Sequence, residues 1–319
     1  MKKHILLIDS LDKLSLTKDT SLLFAQTLKD CGVLVYLMFE EDFYFLNQES
    51  FEFDVYNFTG ELSLEPGYLT SFSKSERLKI TIDQDVVMHF RLDPPFDTRY
   101  LRILWMLNGI KEVTGAKVIN DPSSVCQHNE KMIAYESPGA LESYVGNSIQ
   151  GFEKFCLELV KKGHKELILK PLDLFQGIGV EKVLLSEAKK EFIRKCDELG
   201  GAVVAQPFMT EVREGEKRSI FFAGKHLGTI LKKPTDGGFL TNIAQGAVFA
   251  KCDLTSRERL ACEKMSKDLM AKGVPWVAYD LLGEKIQEAN ITCPGLLCEV
   301  SFAHDKNLAE DIVKILEES

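Results

Sequence analysis

The 319-residue chain lacks a long apolar run, a Cys-x-x-Cys pair and an excess of basic charge. Each absence removes a class of function. A membrane-crossing helix needs about 20 consecutive apolar residues, and no stretch approaches that length, so no membrane partner is expected. Eight cysteines are scattered along the chain. The closest two, Cys293 and Cys298, have neither metal-ligand spacing nor a nearby histidine, which points to reduced thiols in a cytoplasmic protein. Lys and Arg number 39 against 48 Asp and Glu, a formal net charge of −9. Binding nucleic acid without regard to sequence needs a basic footprint that releases counterions, so no nucleic-acid partner is expected either. A local basic pocket for a phosphorylated small molecule stays compatible with this balance. The start, MKKHILLIDS, carries two lysines, but its apolar run stops at Asp9; it reads as a buried first strand rather than a secretion signal. No G-x-G-x-x-G follows it, so a dinucleotide site there is unsupported. The six histidines stand apart from any Ser/Cys-plus-acid pattern, and no nucleophile triad is readable.

What is present is an ordinary globular composition, 45% hydrophobic and 27% charged, in a chain long enough for roughly two domains. HILLI (4–8), then TKDTSLLFAQTLKDCG with capping candidates Thr17 and Asp19 and a stop at Gly32, then VLVYLM (33–38), predicts strand, helix, strand. That βαβ start calls for a parallel sheet. The segment from about 46 to 80 reads as irregular and polar. DVVMHF (85–90) and AKVIN (116–120) are further strands around a helical TRYLRILWMLNGI, and Asp121-Pro122 closes the unit. Residues 1–122 are therefore expected to form an N-terminal α/β domain. Beyond it, SSVCQHNEKMIAYE reads as one helix, with others over 149–163, 186–199 and 255–272. Strands are expected at 166–170, 202–206, 218–223, 226–231 and 276–292. Strands outnumber crossover helices here, so the sheets of 123–319 should be mainly antiparallel, and the fold class is α/β (α+β).

Four stretches carry chemistry. Lys170 ends the apolar strand of LILKPLD, ahead of a turn containing Gly177 and Gly179. An ammonium beside backbone N–H donors suits phosphate, although a lysine at a strand end beside an ordinary turn fits too. AQPFMTEVREGEKRS (205–219) runs from Gln206 into Pro207, Phe208 and Met209 and on to Glu216 and Arg218. Proline breaks the strand and leaves backbone groups for a planar ligand, with apolar area from Phe208 and Met209; a charged surface loop is the rival. RLDPPFDT sets Arg91 and Asp93 beside a rigid diproline, where arginine could take a carboxylate in a bidentate grip or form a loop ion pair. YDLLGEKIQEANIT (279–292) reads as a hairpin carrying Asp280, Glu288 and Asn290. Strand alternation puts Glu288 and Asn290 on one face. A three-residue turn, Gly283-Glu284-Lys285, would set Asp280 opposite Glu288, whereas a two-residue turn would set it opposite Gln287. Converging oxygens without histidine or thiolate suit Mg²⁺ or Mn²⁺; a solvated strand face is the alternative.

Together these blocks resemble the bacterial-type glutathione synthetase family of the ATP-grasp superfamily. RLDPPFDT is similar to the family's R-x-D-P-P-F-D signature, INDPSSVCQHNEKM to its N-x-P…N-E-K segment, and LILKPLD, AQPFM…EGEKRS and AYDLLGEKIQEANIT to its ATP-site blocks, in the same order. The resemblance implies an ATP-grasp domain over 123–319, with a small lid subdomain over about 123–206 and a larger catalytic part over about 207–319, its two sheets enclosing the nucleotide. It implies that Lys131 and Lys170 contact the phosphates with Gly177 of the glycine turn, that Gln206 to Met209 take the adenine and Glu216 the ribose. Arg218 would sit near the transferred phosphate, with Asn242 as its catalytic companion in the covering loop. Asp280, Glu288 and Asn290 would hold Mg²⁺ or Mn²⁺, two ions in all, and Arg91 and Asp93 the peptide-like substrate. The implied reaction joins γ-glutamylcysteine to glycine through an acyl phosphate with release of ADP, and a homo-oligomer is implied by the same likeness. An ATP-grasp ligase with another acid or amine, or an ATP-binding protein without catalysis, are the other readings. They rest on a departure in the covering loop, KKPTDGGFLTNIAQGAVFA (232–250). Leu240 stands where the family commonly has arginine, and Ala247-Val248-Phe249 replaces a Gly/Arg-rich end.

Overall fold

The computed structural model describes residues 2–47, 50–63, 68–235, 238–243 and 246–318. Its first strand, β1 (Lys3–Ile8), is buried from His4 onward. Helix α1 (Thr20–Asp30) starts where Asp19 caps it, Oδ1 accepting the Leu22 N–H at 2.8 Å. The helix returns the chain to β2 (Leu34–Phe39), which pairs with β1 in parallel, as the βαβ pattern requires. The sequence reading fails next. Residues expected to be irregular form a long antiparallel hairpin of β3 (Phe51–Leu62) and β4 (Leu69–Ile82). Phe51, Phe53 and Val55 face the core while Glu52 and Asp54 face out to meet Lys79 and Arg77 across the pair. The polar residues that hid the period are the solvent face, and charge on an edge strand discourages pairing with another chain. β5 (Val86–Arg91), α2 (Thr98–Thr114) and β6 (Lys117–Ile119) complete a six-stranded mixed sheet of order β4-β3-β2-β1-β5-β6.

Two histidines meet inside this sheet. His4 Nδ1 and His89 Nε2 are 2.9 Å apart, with 2% and 0% of each residue exposed. Burial holds His4 down to about 4 and His89 well below the ordinary histidine range. A basic group depressed in the folded state takes up protons first in the unfolded chain. The resulting stability is present above about pH 6.5 and is lost as pH falls toward 4. Melting temperature should therefore drop steeply between pH 6.5 and 4.5, and His4→Asn should flatten that slope by about one proton. Melts of both proteins across this range check it; identical slopes would refute it.

The middle of the chain departs from a single predicted helix. α3 (Pro122–Gln127) and α4 (Glu130–Tyr135) are separated at His128-Asn129, because Asn129 caps the second, accepting the N–H groups of Lys131 and Met132. β7 (Tyr144–Gly146), α5 (Ile149–Lys161), β8 (Glu166–Pro171), β9 (Glu181–Leu184), α6 (Ala188–Leu199) and β10 (Val203–Pro207) follow. Their strands form an antiparallel sheet ordered β7-β10-β8-β9. Phe152 and Phe192, stacked 4.0 Å apart, join its two helices.

The last unit contains β11 (Glu216–Phe222), β12 (Lys225–Lys233), β13 (Val248–Lys251), α7 (Ser256–Ala271), β14 (Trp276–Leu282), β15 (Lys285–Asn290), α8 (Leu297–Ala303) and α9 (Ala309–Glu317). Its antiparallel sheet has the order β13-β12-β11-β14-β15. The two C-terminal helices were not foreseen; they share one core with α1, through Leu297, Val300, Ile312 and Val313 against Leu22 and Leu28. Asn120, buried at the end of β6, ties the first sheet to the last: Nδ2 donates to the carbonyls of Trp276 and Ile291, and Oδ1 accepts the Trp276 N–H. The fold class is thus the expected one, a parallel-containing sheet followed by two antiparallel sheets. No helix among the described residues is long and apolar enough to cross a membrane.

Candidate active site

The three sheets face one cavity of about 470 Å³, and every candidate site residue named from the sequence lines it, from Arg91 and Asp93 at one end to Phe208 and Met209 at the other. The hairpin gets there by a different route from the one expected. Its turn has two residues, Gly283 and Glu284, with φ of +54° and +63°, and Leu282 pairs with Lys285. A bulge lies beyond. Leu281 faces Ile286 while Asp280 faces Glu288, so Gln287 is the extra residue. The bulge restores the register that an odd turn was invoked to supply, and Asp280, Glu288 and Asn290 converge.

Their charges are offset by side chains. Asp280, 5% exposed, accepts Arg218 Nε at 2.9 Å and Nη2 at 2.6 Å, Lys232 Nζ at 2.8 Å and Asn290 Nδ2 at 3.1 Å. Burial would raise this carboxyl, but the two cations overcome it and hold the group far below the usual carboxylate range. Lys232 also reaches Glu216 at 2.9 Å, and Glu216 accepts the Thr241 hydroxyl from the covering loop. Glu288 pairs with Lys131 at 3.0 Å, and Lys131 donates to the carbonyls of Leu172 and Leu174, fixing the start of the glycine turn. In that turn Gly177 and Gly179 adopt φ near +70°, and a Cβ on Gly179 would sit 2.9 Å from Pro171.

Lys170 differs from the other cations. No carboxylate among the described residues lies within ion-pairing distance of it, and its ammonium stands over the Tyr135 ring, 5.7 Å from the centroid. Burial pushes its ammonium down to about 8. Toward Met209, Pro207 is the last residue of β10, paired with Leu167. The Phe208 N–H already donates to Glu166 O at 3.1 Å, so it is not among the free backbone groups expected there. Phe208 lies under Lys182 at 4.7 Å and edge-on to Phe239 of the covering loop. Gln206 Nε2 is fixed by Ser143.

At the opposite end Arg91 is 4% exposed and stacked 4.6 Å over Trp276. Nε donates to Ser21 and Nη2 to Pro294 O, while Nη1 has no hydrogen-bond partner among the described residues. Asp93 is exposed at the cavity mouth and Asp19 lies beside it, its carboxyl raised to about 6 by burial. Asn242, half-buried, lines the cavity between these ends.

These features were compared with known proteins. The family profile described as prokaryotic glutathione synthetase, ATP-grasp domain, matches residues 130–305, and that of the family's N-terminal domain matches residues 2–126. This chain belongs to the prokaryotic glutathione synthetase family. It is accordingly an ADP-forming ATP-grasp ligase. The glutathione synthetase of Nitrosomonas europaea is 31% identical over 232 residues, 72% of this chain and 71% of that protein. That of Coxiella burnetii is 27% identical over 316 residues, 98% of this chain and 95% of that protein. Among solved structures, D-cycloserine synthetase superposes with a TM-score of 0.65 at 15% identity, covering 98% of this chain and 99% of that one. An ATP-grasp ligase solved with its minimal precursor gives 0.63 at 12% identity, covering 100% and 98%. Both likenesses concern the fold.

Several side chains in the family member's cavity escaped the sequence reading. The sequence marks Lys232 only as the start of the covering loop; its place beside Asp280 depends on the pairing of β11 with β12 and β14. Glu130, adjacent to Lys131, accepts the N–H groups of Ile291 and Thr292 and the Thr292 hydroxyl, pinning α4 to the end of the hairpin. Asp19 was seen as a cap alone. Glu299 was not noticed, since nothing in GLLCEVSFA marks one carboxylate as buried.

Proposed function

We propose that the chain is a glutathione synthetase that joins γ-glutamylcysteine to glycine through an acyl phosphate. The observation that carries the reading is the cation set around the hairpin. Lys131, Arg218 and Lys232 are held by Glu288, Asp280 and Glu216, and Lys170 stands unpaired among them. A polyphosphate is the ligand such a set would accept, with Lys131 and Lys170 on its two sides and Gly177 at the turn below it. Adenine would lie against Phe208, within reach of Gln206, Pro207 and Met209, and Glu216 would take the ribose hydroxyls.

The donor set also fits a hard cation. Asp280 and Glu288 stand opposite each other, and Asn290 commits its amide nitrogen to Ala278 O and Asp280, which leaves Oδ1 as its ligating atom. Among the described residues no three acidic, histidine or cysteine side chains are grouped so as to hold a metal ion by themselves, so phosphate and water oxygens would complete the shell. Bound there, Mg²⁺ or Mn²⁺ would neutralise charge on the phosphates.

The protein's own groups then define the reaction. Arg91 Nη1 would receive one carboxylate of the dipeptide, and Asp93 and Asp19 its ammonium. The other carboxylate would attack the γ-phosphorus, with ADP leaving on the bridging oxygen. Arg218 and Lys232 would stabilise charge on the transferred group, and Asn242 would donate to it. The covering loop, tied down through Thr241 to Glu216, would keep water from the acyl phosphate. Hydroxylamine trapping provides the test. With ATP, Mg²⁺ and γ-glutamylcysteine, the chain should release ADP and form the hydroxamate. ADP release no higher than without the dipeptide would overturn the choice of acid.

A further inference from the structure

A second groove opens from the cavity. It measures about 790 Å³, and the two share Lys18, Ile243 and Glu299 at their junction. Its walls are largely apolar, with Leu16, Tyr68, Leu69, Ala247 and Phe249 prominent. Glu299, at the first turn of α8, is 3% exposed, and its Oε2 has no hydrogen-bond partner among the described residues. An unsatisfied buried carboxylate oxygen is costly unless a ligand completes it. Burial raises the Glu299 carboxyl, with Lys18 and Arg218 pulling the other way. Glu299 and Lys18 line the same cavity as Arg218, the residue placed above beside the transferred phosphate.

We propose that this groove is an acceptor subsite that admits α-amino acids with apolar side chains as well as glycine, giving a second class of tripeptide product. The proposal rests on the ligase reading above. Glu299 holds the acceptor's ammonium, Lys18 its carboxylate, and the side chain runs along Leu16, Tyr68 and Phe249. Glycine would leave this groove empty. The covering-loop residues that depart from the family pattern, Ala247 and Phe249, are themselves part of its wall. The bonding step balances. The ammonium gives one proton to the Glu299 carboxylate, and the nitrogen lone pair forms the C–N bond to the acyl carbon. The C–O bond to phosphate breaks with its electron pair on phosphate, which takes the second proton from nitrogen.

Calorimetry on the full chain loaded with a non-hydrolysable ATP analogue and Mg²⁺ tests the subsite without depending on the acid. L-leucine should bind at least as tightly as glycine; weaker binding of leucine overturns the proposal. Thr17 is an exposed residue at the groove's edge. Thr17→Trp should fill the groove and weaken leucine on the order of tenfold more than glycine; an equal effect on both counts against it. Glu299→Gln should weaken both amino acids by about tenfold or more, and unchanged binding removes Glu299 as the anchor. The same chain with γ-glutamylcysteine and leucine should yield the tripeptide by mass spectrometry. Hydroxamate formation with no leucine binding would sink the subsite and leave the ligase reading standing. Leucine binding with no hydroxamate would support the subsite and sink the choice of acid.

Discussion

Replacing Asp280 by asparagine is expected to lower kcat/KM for ATP by roughly 10²–10³-fold and to destabilise the unliganded protein. The two effects share a cause. Asp280 is nearly fully buried and accepts both nitrogens of the Arg218 fork as well as Lys232. Those cations hold its carboxyl far below the usual carboxylate range, so the charged form is the one that Arg218 and Lys232 meet. Asparagine preserves shape but removes the charge, leaving a buried guanidinium with no counter-ion. Breaking a buried pair from one side costs about 3–5 kcal/mol, and Glu216, which still holds Lys232, should keep the loss near the lower end. Thermal melting of the unliganded protein reads the first effect. Initial rates over a range of ATP, together with Mn²⁺ titration followed by electron paramagnetic resonance, read the second. Normal melting with normal ATP kinetics would show that Asp280 has neither role.

Replacing Lys170 by methionine should do the opposite to stability while weakening ATP binding. Lys170 lies in the cavity without an ion-pair partner, and burial brings it down to about 8. A lysine depressed in the folded state carries a penalty that is fully present below pH 8. The penalty fades as pH rises toward 10.5, where the unfolded chain also loses its proton. Methionine keeps the stem and deletes the charge, so at pH 7 it should stabilise the unliganded chain by on the order of 2 kcal/mol. ATP affinity should fall by roughly 10–100-fold, the worth of a charge-assisted contact. In the unaltered protein, phosphate should raise the lysine again. Binding at pH 8 to 9 should then take up a proton, measurable by calorimetry in buffers of different ionisation enthalpy, and affinity should weaken above pH 8. A lower melting temperature for Lys170→Met, or ATP affinity independent of pH from 7 to 9.5, would remove Lys170 from the phosphate site. This opposition between stability and ligand binding marks a cation kept for a ligand rather than for the fold.

Motif residues were legible because their chemistry is local. Asp280, Glu288 and Asn290 break the preferences of a strand, and Lys170 ends an apolar one; either oddity is visible without coordinates. The β3–β4 hairpin was not legible, because one of its strands is an edge whose exposed residues are all polar, serine and threonine alternating with charge, and hide the period. The break between α3 and α4 was missed for a related reason: Asn129 can sit inside a helical pattern or cap a new helix, and only packing chooses. Register was undecidable from sequence. A two-residue turn with a bulge and a three-residue turn give Asp280 the same partner, and their backbones differ only through contacts with neighbouring strands.

The sequence by itself determined the family, the fold class, and the motif residues Lys131, Lys170, Arg218, Asp280, Glu288 and Asn290 that line one cavity. These follow from residue type and spacing. Tertiary structure alone decided which cation offsets which carboxylate, that Lys170 has no ion-pair partner among the described residues, and that Glu299 lies buried where a second groove meets the cavity. Burial and pairing depend on residues far apart in the chain, and one sequence position carries no record of what folding brings beside it.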